Sequence, residues 1–120
     1  RGATNVVFFE NYLNSLKILK QNILNLEIEK KCTIYDHSAY ELRSSNLKNE
    51  IFDIIFLDPP FKDKNIENLK EQIDKLNIVD TNTLLIIHRN KKSNDKISEY
   101  LNIIEEKKYG LSKIFFCRLI

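Results

Sequence analysis

Glycine is nearly missing from this chain: Gly2 and Gly110 are the two in 120 residues. Two isolated glycines near opposite ends build no glycine-rich loop. Cysteine is as scarce. Cys32 and Cys117 are too few and too far apart for a zinc site or a disulfide framework. Both lie in apolar segments, which reads as two buried thiols in a reducing cytosol. No apolar run approaches the ~20 residues of a membrane span. The opening RGATNVVFFE lacks the regions of a signal peptide, so a cytoplasmic location is expected. Charge of one sign is missing too. The 19 basic residues face 17 acidic ones, a net +2, which is too balanced to argue nucleic-acid binding by itself.

What is present suits a soluble globular chain: 42% hydrophobic and 30% charged residues, with enough Ile, Leu and Phe to fill a core. At this length it is at most one domain, 1–120. TNVVFFE reads as a strand over 4–9 that stops at Glu10. NYLNSLKILKQNILNLEI carries Leu13, Leu16, Ile23 and Leu26 at helical spacing. KCTIYD is a short strand ending at Asp36, and SAYELRSSNL a short helix with Ser38 as cap. FDIIFLD is a third strand, apolar enough to be buried on both faces. NIENLKEQIDKLNI places Ile66, Leu69, Ile73 and Leu76 on one helical face, and TLLIIH is a fourth strand ending at His88. After the polar stretch RNKKSNDK, KISEYL reads as helical. NIIEEKKY and SKIFFCRLI read as a terminal strand pair that turns at Gly110.

Strands alternating with helices at this spacing predict a parallel α/β sheet with right-handed crossovers. Ligands of such sheets bind at the carboxyl ends of the strands. Three consecutive strand ends carry an acid: Glu10, Asp36 and Asp58. The third is followed by both prolines of the chain, in DPPF over 58–61. Prolines donate no N–H and must end the strand, so DPP reads first as punctuation. An acid at each of three strand ends makes a site the better reading. His88 reads mainly as a structural hydrogen bonder. Lys62, Lys64 and the basic loop HRNKK over 88–92, with Arg89 in it, read equally as RNA-phosphate contacts or as solvated surface. Tyr35 and Tyr40 read as packing residues.

RGA at 1–3, VVFFE at 6–10, IFLDPPF at 55–61 and KKYGLSKIFFCRL at 107–119 together resemble the RsmD-type guanine-N2 methyltransferases of small-subunit ribosomal RNA, within the class I S-adenosylmethionine-dependent methyltransferases. The resemblance implies a Rossmann-like α/β sheet, mostly parallel with an antiparallel terminal strand. It implies S-adenosylmethionine as cofactor, with Glu10 and Asn11 at the ribose and Asp36 and His37 along the adenine. Asp58, counted with both cofactor and substrate, and Pro59, Pro60 and Phe61 would form the catalytic loop. A guanine exocyclic amine is a poor nucleophile until its lone pair is aimed at the methyl group. Asp58 and the Pro59 carbonyl would each accept one N–H and stabilise the charge growing on nitrogen, while Phe61 offers a stacking face.

The implied partner is ribosomal RNA or a small-subunit assembly particle, with no membrane, no metal and a monomeric full-length form. A DNA or protein amino-methyltransferase and an inactive RNA-binding remnant remain alternatives. The chain departs from the family in three places. The first strand with its glycine-rich loop is absent, Tyr12 stands where an Asp is usual, and Ile87 stands where an acid is usual. The expectation is a partial methyltransferase domain, part of a longer protein. Its strands ending at Glu10 and Asp58 would each have an unpaired edge. Alone it would be poorly stable and inactive, and would bind the cofactor weakly or not at all.

Overall fold

Val6, Val7, Phe8 and Phe9 are β-branched or aromatic, the residues that suit a pleated surface, and they form strand β1 (Val6–Phe9) in the computed structural model of the protein. The structure describes residues 2–60, 62 and 65–120. Phe61 and Lys64 lie outside the described residues, as does Arg1 of the RGA stretch. The chain divides into two units, residues 1–45 and 46–120.

In the first unit β1 runs parallel to β2 (Cys32–Tyr35), with Val6 abreast of Cys32 and Phe9 abreast of Tyr35. Helix α1 (Leu13–Asn25) makes the crossover. Its buried residues are Leu16 and Ile23, two turns apart, with Leu19 half-buried between them. Leu13 and Leu26, expected on the same face, are 62% and 67% exposed. They lie at the helix's first residue and just past its last, so they overhang the seam. The segment expected as a short helix is a 3-10 turn, Ala39–Ser44, capped by Ser38, whose Oγ accepts from the Tyr40 N–H. Cys32 is half-buried rather than buried.

The second unit is a four-stranded sheet in the order β3-β4-β6-β5. Strands β3 (Ile54–Leu57) and β4 (Leu84–Asn90) are parallel and joined through helix α2 (Ile66–Leu76). Strand β6 (Ser112–Arg118) runs antiparallel to both β4 and β5 (Asn102–Tyr109). The β5–β6 hairpin turns at Gly110, whose φ of +54° is the left-handed region that favours glycine. All four apolar residues assigned to the α2 face are buried. Asn77 ends the helix in the left-handed conformation, its N–H donating to Asp74 O.

Alternation along the strands gives this sheet two faces. Leu57, Leu85, Ile87, Phe115 and Cys117 share the buried face. The other face carries Ile54 and Phe56, which are 59% and 58% exposed. The expectation that β3 is buried on both faces is therefore corrected. β3 is the outermost strand of its sheet, and only its Ile55 and Leu57 side turns toward the core. Among the described residues no helix is long and apolar enough to cross a membrane.

Candidate active site

Register places Asp58. Leu57 is abreast of Ile87 in the parallel β3–β4 pair, so the next residues, Asp58 and His88, stand side by side on the exposed face. Across the antiparallel β4–β6 pair, His88 faces Ile114 and Asn90 faces Ser112. Ser112 is therefore a same-face diagonal neighbour of His88. The side chains meet accordingly: His88 Nδ1 is 2.8 Å from Asp58 Oδ1, and His88 Nε2 is 2.8 Å from Ser112 Oγ. The reading of His88 as a hydrogen bonder holds, and one of its partners is the central acid of the candidate loop.

The following residue on β4 points the other way. Arg89 is 1% exposed, and its Nε and Nη2 donate to the two oxygens of Asp95 at 2.7 and 3.1 Å. Its Nη1 donates to the carbonyl oxygen of Pro60 at 3.2 Å. Asp95 also accepts from Ser93 Oγ, and Lys113 Nζ donates to Ser93 O at 2.9 Å. Burial pushes the Asp95 carboxyl up, but the Arg89 and Ser93 hydrogen bonds and the charges of Arg89 and Lys113 outweigh it and hold it below its ordinary value. Burial, with the charges of Asp95 and Glu67 beside it, pushes the nearby Tyr100 hydroxyl up to about 12. The carboxyl end of β4 thus grips the Asp58–Pro59–Pro60 segment twice, through Asp58 on one face and through the Pro60 carbonyl on the other. Asp58 and Pro60 are exposed and Pro59 is half-buried.

In the first unit the same logic sets Glu10 beside Asp36, one step past the Phe9–Tyr35 pair. The Glu10 N–H donates to Tyr35 O at 3.2 Å, and Glu10 Oε1 accepts from the Tyr12 N–H at 2.8 Å. Glu10 is therefore oriented as it would be in a turn ahead of α1. Phe9 and Tyr35 stack at 4.9 Å, and the His37 ring meets both edge-on at 5.5 Å. Tyr35 is a packing residue, as expected. His37 Nε2 lies 3.4 Å from Ser44 Oγ, and Asn11 and Asp36 are exposed. Two carboxylates beside an aromatic cluster suit a group that combines hydroxyl and amine donors with a flat ring. Among the described residues no group of acidic, histidine or cysteine side chains is arranged to hold a metal.

Sequence reasoning placed Arg89 in a solvent-facing basic loop after a strand ending at His88; β4 instead runs on to Asn90 and turns Arg89 into the core, away from any phosphate-binding surface. Asp95 and Ser112 it missed. The period-2 pattern of Leu85 and Ile87 continues to Arg89, and that signal was available. Ser112 carried none, because only the strand register brings it to His88.

The pattern of the family described as conserved hypothetical protein 95 matches residues 1–118. An uncharacterized methylase of Rickettsia prowazekii is 29% identical over 73 residues, 61% of this chain and 31% of that one. The Bacillus subtilis protein YlbH, named as a proposed rRNA methyltransferase, is 25% identical over 93 residues, 77% of this chain and 50% of that one. The chain thus spans about a third to a half of the length of these curated relatives. A solved structure described as a proposed methylase of Haemophilus influenzae superposes with a TM-score of 0.79 at 21% identity, covering 98% of this chain and 73% of that one. The α/β arrangement of strands and helices is therefore the one that methylase has.

Proposed function

Because the chain belongs to the conserved hypothetical protein 95 family, an RsmD-type family of class I methyltransferases, we propose that the protein methylates the exocyclic N2 amine of a guanine in small-subunit ribosomal RNA. The observation that carries this reading is the Asp58 carboxylate. It is 55% exposed at the carboxyl end of β3 and anchored through one oxygen. Pro59 and Pro60 follow it, and the Pro60 carbonyl is held by a buried arginine. An acceptor that is both exposed and fixed is what an amine nucleophile needs.

S-adenosylmethionine, when bound, supplies a methyl group on a sulfonium centre. In this reading Glu10 accepts from ribose hydroxyls, with Asn11 beside it, and Asp36 and His37 line the adenine. Asp58 and the Pro59 carbonyl accept the two N–H groups of the guanine amine, which turns its lone pair away from the ring. As positive charge grows on that nitrogen, the Asp58 carboxylate stabilises it and takes up the proton the product releases. Phe61 would stack on the base. The name of the Bacillus relative supports ribosomal RNA as substrate, and Lys62 and the lysines of HRNKK would meet its phosphates.

The test is methyl transfer from labelled S-adenosylmethionine to small-subunit RNA or particles by the natural protein that carries this chain. N2-methylguanosine would be identified by mass spectrometry. Asp58→Ala should lower turnover about a hundredfold or more while leaving affinity for the demethylated cofactor nearly unchanged. Near-normal turnover in that variant, or a methylated product other than N2-methylguanosine, counts against the reading.

A further inference from the structure

Asp58, His88 and Ser112 form one hydrogen-bonded row across three strands, with both contacts at 2.8 Å. The proton of the first contact belongs to His88 Nδ1, because a carboxylate only accepts. In a neutral ring Nε2 then carries the lone pair and accepts from the Ser112 hydroxyl. Donation runs from Ser112 to His88 to Asp58. The same three residue types in this order activate the serine of many hydrolases, where the carboxylate is the buried end. Here the exposure is reversed. Asp58 is 55% exposed, His88 24%, and Ser112 is half-buried in the β4–β6 ladder. The end that can meet a substrate is the carboxylate, and serine and histidine stand behind it.

We propose that His88, oriented by Ser112, is a positioning residue: it ties Asp58 Oδ1 so that Oδ2 is presented to the acceptor amine. This rests on the reading of Asp58 as the amine's acceptor. An untied carboxylate next to solvent rotates and aims neither oxygen. The brace spends one oxygen on the histidine and fixes the direction of the other. It acts on the chemical step and leaves the cofactor's nucleoside contacts alone, since Glu10 and Asp36 lie on other strands.

Two measurements test it. Ring nitrogen shifts, read by NMR at a pH where the ring is neutral, should place the His88 proton on Nδ1. Ser112→Ala should move the Nε2 signal. In the natural protein that carries this chain, the His88 signals are the ones that His88→Phe removes. A proton on Nε2, or fast exchange between tautomers, overturns the brace whatever the substrate. In turnover assays, His88→Phe should lower kcat about tenfold, the worth of one orienting hydrogen bond, with KM for the cofactor unchanged. His88→Asn, whose amide N–H falls where Nδ1–H was, should recover much of that loss. If Asp58→Ala abolishes turnover while His88→Phe leaves it intact, the brace is wrong and the functional reading stands. If Asp58→Ala itself is fully active, the functional reading falls and this proposal falls with it.

Discussion

A guanidinium at 1% exposure is costly unless both its charge and its donors are matched, and Arg89 matches them with a bidentate contact to Asp95 and a third bond to Pro60 O. Removing one partner strands the other. Arg89→Met is expected to destabilise the protein by about 1–3 kcal/mol, because the half-buried Asp95 loses its charge partner and keeps only the Ser93 hydroxyl. A urea titration reads this, and a loss near zero would mean the pair contributes nothing. The same pair has a pH signature. The folded Asp95 carboxyl sits below its unfolded value. Its stabilisation is therefore complete above the unfolded value, about 3.9, and is lost as pH falls through the lower folded one. Asp95→Asn should flatten the acid limb of the stability curve below about pH 4. At this scale the sequence was half legible. The acids at strand ends announced Glu10, Asp36 and Asp58. Arg89 was masked because it sits among the lysines of HRNKK, where composition points to solvent. Only its strand parity says otherwise.

The two helices differ in how plainly their faces can be read, and the reason is what lies off the face. In α2 the apolar residues Ile66, Leu69, Ile73 and Leu76 make one stripe, with charged residues around it, and all four are buried. In α1 Leu13, Leu16, Ile18, Leu19, Ile23 and Leu24 are spread around much of the helix, so periodicity permits several faces. The structure selects the seam of Leu16 and Ile23 and leaves Leu13, Ile18 and Leu24 exposed. Alanine substitutions distinguish the alternatives. Leu16→Ala should cost about 2–3 kcal/mol, whereas Leu13→Ala should stay within about 0.5 kcal/mol. Thermal melts of the two variants give the ranking directly, and the reverse order would move the packed seam to the other side of the helix.

Across the whole chain, strand order was legible and strand coverage was not. The alternation of strands and helices and the parallel first pairs follow from pattern and spacing, and the antiparallel last strand is what the family resemblance implied. The run IIFL fits a strand buried on both faces equally well as one that is outermost, because an apolar residue carries no mark of what will cover it. β3 is in fact outermost. It pairs with β4 alone among the described residues, and it carries Ile54 and Phe56 largely exposed. An unpaired strand edge beside apolar side chains is a template for association with another chain. No charged side chain within Ile54–Leu57 guards it. Residues 1–120 expressed alone should therefore self-associate across the micromolar range, with a sedimentation coefficient that rises with concentration. Lysine at both exposed positions, Ile54→Lys with Phe56→Lys, should abolish that rise, since both side chains point away from the buried face and the charges would oppose docking at little cost to the core. Strictly monomeric behaviour of the unmodified chain, or association unchanged in the double variant, would show that this edge is not the sticky one.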